Sequence, residues 1–411
     1  MHIRPVSDRS TRVKPYQLQQ ADVPLMRKVA VVGIGHSKFG KRKGLTIKEL
    51  SHEAIAPALQ DAGITASDVD AGVVAVAGEE FASQGCPAAS VGDYVGLVGK
   101  PVFRVEAACA SGSAAVRTAW TQISSGLADI ALACGVETMT HMSSERATEL
   151  MARAGDALWE YPYGVSFPAF YALTATAHMS QFGTTREQLS TVSVKNHKYG
   201  ALNPYAHFYQ KPVTLEAAMK SVMISHPLNL YDCCPISDGA AAVILASEEK
   251  ARQLTDTPVW IIGLGGGSDT MQISERQSLT GLLGTRRAAE QAFRMAKLEL
   301  KDLQGMNVHD CFTIAEIMAY EDLGFCSKGE GGKFAEEGQS DIGGKIPTNI
   351  DGGLKAKGHP IAATGVSMTY EATKQLRGEA EKGRQIPNLE HYLTHNIGMT
   401  GQFCFVHIYS R

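Results

Sequence analysis

Two short apolar runs that end in glycines occur at two places in the chain. Residues 29–35 read VAVVGIG, and residues 259–265 read VWIIGLG, with both glycines repeated 230 residues later. β-Branched runs of this kind predict buried strands. The spacing of apolar residues after the first run predicts a helix over residues 47–62. The chain therefore begins a strand-helix pattern twice.

The similarity between the two copies continues past the strands. With an offset of 234 residues, which allows for an insertion of four, six positions agree: Ala54 with Ala288, Ala58 with Ala292, Leu59 with Phe293, Ala62 with Ala296, Ile64 with Leu298 and Asp68 with Asp302. This repeat predicts two similar β-α-β halves, each with a mixed sheet, packed together with helices between and outside them. A functional site is expected where the halves meet.

Further strands are predicted at residues 72–77, 130–134, 241–245, 306–308, 392–394 and 403–408. Residues 141–235 interrupt the pattern, because they are rich in Tyr, Met, His and Asn and have only patchy periodicity. We interpret them as an inserted loop domain that covers a site. The first half then comprises residues 28–140 and 236–250, and the second half comprises residues 251–411.

Each copy of the repeat has a glycine pair like the one that begins a nucleotide-binding motif. The full G-x-G-x-x-G is absent from both copies, because Lys38 and Ser268 stand at the third glycine position. A turn at the end of the strand explains these glycines more simply than a dinucleotide fold does.

The composition is that of an ordinary globular protein. Of 411 residues, 44% are hydrophobic and 20% charged, and the net charge is −3. This balance excludes a global attraction to nucleic acid or to a membrane surface. No apolar run reaches the roughly 20 residues of a membrane-spanning helix, and the N-terminus lacks the apolar core of a secretory signal. Residues 1–27 fit a surface extension better than a mitochondrial transit peptide.

These features predict a cytoplasmic protein. Its eight cysteines lack the C-x-x-C spacing of a zinc site, and we expect them to be free thiols in a reducing compartment. One of them, Cys109, precedes very small residues in the segment EAACASGSAAV (residues 106–116). It would lie at a helix N-terminus, where the helix dipole favours a nucleophilic thiolate. A buried structural cysteine is an equally good interpretation of this segment alone.

Two histidine-containing segments strengthen the case for a nucleophile. Residues 307–313 (NVHDCFT) place His309 and Cys311 after a predicted strand of the second half. Residues 357–365 (KGHPIAATG) place His359 in a rigid turn before a second small-residue helix. A histidine in that turn can accept the thiol proton of a cysteine and later donate a hydrogen bond.

At these positions the sequence resembles the thiolases, specifically the branch that contains the thiolase domain of sterol carrier protein. The resemblance extends from about residue 29 to the end of the chain, and its motifs are ACASG (108–112), GVETM (135–139), KNHK (195–198), NPY (203–205), HDCF (309–312), GHP (358–360) and HNIG (395–398). It implies the thiolase fold, in which two similar β-α-β halves form a layered α-β-α-β-α arrangement with an inserted loop domain.

The resemblance also implies roles for individual residues. Cys109 is similar to the cysteine that carries the acyl group, and His359 to the histidine that activates it and helps to hold the thioester oxygen. Cys311 is similar to the acid/base cysteine of this branch. In the commoner thiolases that second cysteine lies at the position that Asn396 occupies here, so the HDCF motif must supply the thiol.

Two further positions are implied to bind oxyanions. His309 takes the position of an oxyanion-binding asparagine, and Gly398 together with the amide of Cys109 resembles a second oxyanion hole. Glu106 and Thr400 depart from the commoner pattern of the family. These departures concern acyl-chain selectivity and the geometry of the C-terminal loop.

The implied function is reversible acyl transfer between a 3-ketoacyl-CoA plus CoA and acetyl-CoA plus an acyl-CoA. CoA is a co-substrate, and no permanently bound cofactor is implied. Cys311 separates this reaction from that of a decarboxylating ketoacyl synthase, which needs no base for an acetyl methyl group. The alternative is a non-catalytic acyl-CoA-binding scaffold, or a subunit of a thiolase-containing complex, on the same fold.

Two other groups of residues are weaker indications of a binding site. Lys195 and Lys198 could bind the phosphates of CoA, and a solvated basic face explains them about as well. His226, Asp232, Cys233 and Cys234 form a weak candidate zinc site, so we expect no metal.

The resemblance implies assembly with other chains. We expect a homodimer or a dimer of dimers, with apolar strands and aromatic residues such as those at 167–171 available for contacts. Some microbial members of this branch also work with a small partner protein made of an OB-fold and a zinc ribbon.

Overall fold

The computed structural model describes residues 26–411, so all but the last two residues of the predicted extension 1–27 lie outside the described residues. Within this range the strands are β1 (Val29–His36), β2 (Ala71–Ala75), β3 (Val102–Val105), β4 (Ile130–Glu137), β5 (Met223–Ser225), β6 (Leu228–Asn229), β7 (Gly239–Ser247), β8 (Val259–Gly267), β9 (Gly305–Val308), β10 (His391–Gly398) and β11 (Phe403–Ser410). Every strand predicted from the sequence overlaps one of these.

The α-helices of the described residues outnumber those expected from the sequence pattern. They are α1 (Ile47–Asp61), α2 (Glu79–Ala82), α3 (Pro87–Tyr94), α4 (Ser111–Ser124), α5 (Ser144–Ala152), α6 (Phe167–Phe182), α7 (Arg186–Gly200), α8 (Leu215–Met219), α9 (Glu248–Leu254), α10 (Leu283–Ala296), α11 (Thr313–Asp322), α12 (Gly331–Glu336) and α13 (Thr364–Arg377). None of them combines the length and the apolar character needed to cross a membrane.

Nine strands form one mixed sheet in the order β3-β2-β4-β7-β1-β8-β11-β10-β9. The first five strands belong to the first half of the chain and the last four to the second half. The halves are joined edge to edge by β1 and β8, which pair antiparallel over only two residue pairs. The short junction is consistent with two similar units that pack against each other, as the repeat predicted.

The layers follow from the two-residue period of the strands. In β7, the alternate residues Ala241, Val243 and Leu245 belong to a central core together with residues of α4 and α13. The residues between them belong to an outer core that α1 covers. On the far side of the second half, α10 and α11 cover β9 to β11. If the strands of each half are counted as one layer, the order is helix, sheet, helix, sheet, helix, and the predicted fold class is confirmed.

The glycines of the repeat allow close contact between strand and helix. A Cβ on Gly35 would lie 1.9 Å from the carbonyl oxygen of Ala54, and a Cβ on Gly265 would lie 1.7 Å from that of Ala288. Both glycines lie inside their strands, so the prediction of a strand-ending turn is wrong. The helix backbone occupies the space that a side chain would need, which is a packing requirement and not a nucleotide site.

Residues 141–235 contain more regular structure than the prediction of a loop domain suggests. They form α5 to α8 and the small β5–β6 hairpin. α6 has apolar residues on most of its surface rather than on one stripe, which is typical of a helix covered on several sides and explains the missing periodicity. The boundaries of the domains remain predictions.

Candidate active site

Cys109 lies in a single 3-10 turn, Ala108–Ala110, that leads directly into α4. Ala108 has a φ of 49°, a left-handed backbone that residues with a Cβ rarely adopt. The hydroxyl of Ser111 stabilises this turn, since it accepts from the Ala107 amide at 2.9 Å and donates to the Ala108 carbonyl at 2.6 Å. The strained turn brings Cys109 to the wall of a pocket while leaving it 4% exposed.

Burial determines the charge of the Cys109 thiol. Removal from water raises its pKa to about 12, although the nearby backbone of Met399 opposes this increase. The carboxyl group of Glu137 raises the pKa further. The expectation of a thiolate at a helix N-terminus is therefore wrong, because desolvation outweighs the helix dipole. Cys109 needs a base to become a nucleophile.

Two histidines of the second half face Cys109. The donor atoms of Cys109, His309 and His359 all lie within 4.8 Å of one another. The two imidazole rings meet edge to face, with centroids 5.1 Å apart and an interplanar angle of 83°. Both rings are buried, and among residues 26–411 neither Nε2 atom has a hydrogen-bond partner. These two atoms are free to interact with a substrate.

Asn396 makes His309 a hydrogen-bond donor toward this cluster. Asn396 Nδ2 donates to the Cys109 carbonyl at 3.2 Å, which fixes the orientation of the amide, because a carbonyl can only accept. The same Nδ2 lies 3.0 Å from His309 Nδ1, which must therefore accept. Burial and the neighbouring His359 hold the pKa of His309 well below its usual value. The ring is neutral, and its proton is on Nε2.

His359 has the opposite tautomer. Its Nδ1 lies 2.7 Å from the hydroxyl of Thr364, which donates its own proton to the Pro360 carbonyl at 3.1 Å. The Thr364 oxygen therefore accepts from the Nδ1–H group, and Nε2 keeps a free lone pair. Burial lowers the pKa of His359 to about 3, so the ring is neutral. The cluster thus contains a thiol, an N–H donor and an imidazole base.

This hydrogen-bond pattern disfavours a metal ion at the cluster. A metal bound between the two rings would need a lone pair on each Nε2. His309 offers a proton there instead. If the Asn396 amide were flipped to change this, its own carbonyl oxygen would face the Cys109 carbonyl oxygen, which is unfavourable. The donor spacing resembles that of a metal site, whereas the tautomers match proton transfer and oxyanion binding.

Two of the four residues considered as zinc ligands from the sequence, Asp232 and Cys233, have other partners. Asp232 accepts from Arg186 at 2.7 Å and from the Thr313 hydroxyl at 3.0 Å. The Cys233 thiol donates to the Asn229 carbonyl at 3.4 Å. These contacts join residues 141–235 to the beginning of α11, which is a structural function.

Cys311 lies in the loop between β9 and α11 and is completely buried. Burial raises its pKa well above the usual range. Tyr171 stacks on the neighbouring Phe312 with ring centroids 4.6 Å apart, and its hydroxyl donates to the Met399 carbonyl at 2.9 Å. The Cys234 amide donates to the Cys311 carbonyl at 2.9 Å. Residues from the 141–235 segment therefore cover Cys311 on two sides.

Asp310 connects the HDCF loop to the turn that precedes His359. Its carboxylate accepts from the amides of Leu354 at 2.7 Å and Lys355 at 3.2 Å. Asn196, in the KNHK motif of α7, donates to the same carboxylate at 2.7 Å. Two motifs that the resemblance identified separately, HDCF and KNHK, are thus joined with the turn before His359 in one hydrogen-bonded framework.

Lys195 is not available to bind the phosphates of CoA. It is 5% exposed, and its ammonium group pairs with Glu316 and donates to the Thr348 carbonyl at 2.8 Å. The expectation for Lys195 is wrong, because this lysine is a buried counterion of Glu316. Lys198 is exposed and pairs with Asp341 at 2.8 Å. A contact of Lys198 with CoA remains a prediction.

A pocket of about 170 Å³ opens onto Cys109. Its larger apolar side chains come from the first half, the 141–235 segment, the His359 loop and the residue after β10, and they are Phe81, Leu150, Met151, Phe167, Ile361 and Met399. Three charged side chains also line it: Glu80, Glu106 and Arg153. The mostly apolar wall and the small volume suit a short acyl chain.

Gly398 ends β10 beside the turn that contains Cys109. A Cβ on Gly398 would lie 2.3 Å from the Ala107 carbonyl, so only glycine fits there. Met399 follows with a φ of 56° and lines the pocket, and its carbonyl accepts from the Tyr171 hydroxyl at 2.9 Å. The sequence indicates Gly398 as a site residue, whereas no motif in the sequence marks Met399.

Comparison with known proteins places this geometry in a family. The models "Thiolase, N-terminal domain" and "Thiolase C-terminal domain-like" match residues 29–249 and 265–411. An acetyl-CoA acetyltransferase of Methanothermobacter thermautotrophicus is 46% identical over 387 residues, which cover 94% of this chain and 100% of that protein. Sterol carrier protein 2 of Bos taurus is 36% identical, with 92% of this chain and 71% of that protein covered.

A solved structure is also similar over nearly the whole chain. It is described as Ltp2-ChsH2(DUF35) aldolase, and it matches with a TM-score of 0.82 and 28% identity over 94% of this chain and 98% of that chain. The layered fold in two similar halves and the matched domains define the thiolase class. The chain belongs to the thiolase family and is an acyltransferase. The resemblance stated from the sequence is confirmed.

Proposed function

We propose that this protein reversibly converts a 3-ketoacyl-CoA and CoA into acetyl-CoA and an acyl-CoA two carbons shorter, through an acyl group on Cys109. The observation that supports it most is the cluster of one buried thiol and two neutral imidazoles of opposite tautomer. A buried thiol with a high pKa becomes reactive only when a base accepts its proton, and the Nε2 lone pair of His359 is that base.

Cleavage begins when His359 takes the proton of Cys109 and the sulfur attacks the ketone carbon. The amides of Cys109 and Gly398 bind the oxyanion of the tetrahedral intermediate. When the carbon-carbon bond breaks, negative charge moves to the thioester oxygen of the leaving acetyl-CoA enolate. The Nε2–H of His309 and the newly protonated Nε2 of His359 stabilise that oxygen.

Cys311 is the acid that protonates the enolate carbon. Its S–H bond breaks as the new C–H bond forms, and it recovers a proton from protonated His359. CoA then loses its thiol proton to His359 and attacks the acyl group, and His359 returns that proton to the departing Cys109. The charges and protons balance without a further reactant. In the reverse direction, a Cys311 thiolate removes a methyl proton from acetyl-CoA.

Mass spectrometry after incubation with an acyl-CoA tests the nucleophile. The mass of the acyl group should appear on the peptide that contains Cys109 and should be lost in Cys109→Ala. Cys234→Ala is a matched control, because it removes another thiol near the site, which is half-buried. Acylation at another residue contradicts the assignment. A wild-type protein that binds acyl-CoA without cleaving or condensing any chain length supports a scaffold instead.

We also propose that the protein acts in the cytoplasm as a homodimer, and measurement of its mass in solution tests the dimer. β3 is an edge strand with a free side in this chain, and its Phe103 is 36% exposed, which suits pairing with a second copy.

The eight cysteines are free, as expected in a reducing compartment such as the cytoplasm. A partner protein is proposed because the similar solved structure pairs Ltp2 with ChsH2(DUF35).

A further inference from the structure

The turn between β10 and β11, residues 399–402, follows Gly398 directly. Met399 and Gly401 have left-handed backbones in this turn, with φ values of 56° and 122°. The Gly401 amide donates to the Gly398 carbonyl at 3.2 Å. A left-handed backbone is unfavourable for a residue with a Cβ such as Met399, so the turn depends on the structure around it for its shape.

Arg276 binds this turn at both the carbonyl and the hydroxyl of Thr400. It lies between β8 and α10, directly after a 3-10 turn (Ile273–Glu275). Its Nη1 donates to the Thr400 carbonyl at 2.5 Å, and its Nη2 donates to the Thr400 hydroxyl at 2.8 Å. Thr400 is 5% exposed, so both hydrogen bonds are shielded from water.

Gln402 continues the same set of hydrogen bonds. A guanidinium can only donate, so the Thr400 hydroxyl accepts from Arg276 and gives its own proton to Gln402 Oε1 at 3.3 Å. The Nε2 of Gln402 donates to the Met271 carbonyl at 2.8 Å. The segment that contains Met271 and Arg276 is therefore bonded to the turn at two of its residues.

The carboxylates near Arg276 are bound to backbone amides instead of to its guanidinium. Asp269 and Glu160 are near enough to oppose the effect of burial on the pKa of Arg276. Asp269 accepts from the Leu283 amide at 3.1 Å, and Glu160 accepts from the Ile273 amide at 2.7 Å. The Nε of Arg276 is buried and has no hydrogen-bond partner among residues 26–411. Because a half-buried cation of this kind gains little from ion pairing, its contacts with the turn are its main contribution.

We propose that Arg276 is a positioning residue for Gly398. By fixing Thr400, it holds the β10–β11 turn so that the Gly398 amide stays directed at the acyl oxygen beside Cys109. This inference rests on the proposed function, in which the amides of Cys109 and Gly398 bind the oxyanion. Thr400 departs from the commoner pattern of the family, and only a residue with a side-chain hydroxyl gives Arg276 its second contact.

Variants of the two partners measure this contact through the rate of Cys109 acylation by acetyl-CoA. Thr400→Val removes the hydroxyl and keeps the carbonyl, so the rate should fall about 10-fold, as expected for loss of a hydrogen bond to a charged group. Arg276→Met removes both contacts, and the rate should fall about 100-fold, as for loss of an oxyanion-hole donor. The KM for acetyl-CoA should change by less than about twofold, because the oxyanion exists only beyond the bound ground state.

Exchange of acetyl-CoA methyl protons with deuterated water gives a readout that separates positioning from a general loss of structure. In the proposed function, His309 and His359 bind the enolate oxygen in this step, and Gly398 does not. Once Cys109 is acylated, exchange should therefore change by less than about twofold in Thr400→Val and in Arg276→Met.

A conservative variant and a matched control complete the test. Thr400→Ser keeps the hydroxyl and should acylate Cys109 within about twofold of the wild-type rate. Thr400→Ser and Thr400→Val together test the contact even where Arg276→Met folds poorly. Arg287→Met is the control, because Arg287 is an exposed residue of α10 that pairs with Glu290 at 2.9 Å. It should leave acylation and exchange unchanged.

The outcomes separate this inference from the proposed function. Acylation that persists at another residue in Cys109→Ala refutes the proposed function and the inference with it. Acylation that requires Cys109 but keeps the wild-type rate in Thr400→Val and Arg276→Met refutes the inference alone. Equal losses of acylation and exchange in these two variants show that Arg276 only stabilises the fold, and they also refute it.

Discussion

Gly112 of α4 and Gly365 of α13 lie against each other at the centre of the molecule. A Cβ on Gly112 would be 2.8 Å from the Gly365 amide nitrogen, and a Cβ on Gly365 would be 2.1 Å from the amide nitrogen of Ser113. The first helix begins just after Cys109 and the second just after His359. The contact between two residues without side chains therefore sets the distance between the nucleophile and its base.

Gly365→Ala should reduce both stability and activity. The methyl group collides with backbone and forces the helices apart, and overpacking of this kind costs about 1–3 kcal/mol. Thermal unfolding and the rate of Cys109 acylation measure the two effects. Gly85→Ala is a suitable control, because a Cβ there meets nothing within 4 Å. A Gly365→Ala protein with wild-type acylation shows that the spacing is not set by this contact.

The protonation state of Cys109 predicts how its alkylation depends on pH. Since burial raises its pKa to about 12, the thiolate fraction should increase about tenfold per pH unit from pH 7 to 9. Alkylation by iodoacetamide, followed by mass spectrometry of the peptide, should follow the same slope without a plateau. A plateau near neutral pH reveals a preformed thiolate-imidazolium pair and contradicts the neutral cluster. Cys109→Ala should lose the alkylated form of this peptide, which shows that the signal comes from Cys109.

The two lysines of the KNHK motif should respond differently to substitution. Lys195→Met leaves the Glu316 carboxylate buried without its cation, which should cost about 3–5 kcal/mol in the free energy of unfolding. Lys198→Ala removes an exposed ion pair and should change stability by less than about 0.5 kcal/mol. Urea unfolding measures both. A large increase of the KM for CoA in Lys198→Ala, without loss of stability, supports the predicted contact of Lys198 with a CoA phosphate, and an unchanged KM contradicts it.

The sequence predicted the strands and the repeat because both depend on local periodicity. Gly35 and Gly265 also repeat visibly, but they are required by helices that pack on their strands from elsewhere in the chain. The local sequence therefore favours a turn at these positions. The sequence around Lys195 is the same whether this lysine is a surface cation or a buried counterion. Only the distant Glu316, with which it pairs in the fold, shows that it is a buried counterion. Arg276 binds Thr400 from 124 residues away in the chain, which no local pattern records.

The 141–235 segment contributes a wall of the pocket, and that wall should control acyl length. Met151→Ala enlarges the pocket beside Cys109, so kcat/KM for longer 3-ketoacyl-CoA substrates should rise about tenfold relative to acetoacetyl-CoA. Met179→Ala is the matched control, because Met179 packs against the same core but does not line the pocket. An unchanged chain-length profile in Met151→Ala shows that the acyl chain lies elsewhere.

The proposed dimer predicts a specific effect at the free edge of β3. If two copies pair their β3 strands around a twofold axis, Phe103→Glu opposes two carboxylates at the interface and should yield monomers of 44.0 kDa in light scattering. Val222→Glu, which changes another exposed apolar residue far along the chain, should leave the dimer intact. Because the same sheet supports the turn of Cys109, monomers should also lose thiolytic activity. A monomeric wild type with full activity contradicts both the dimer and this link.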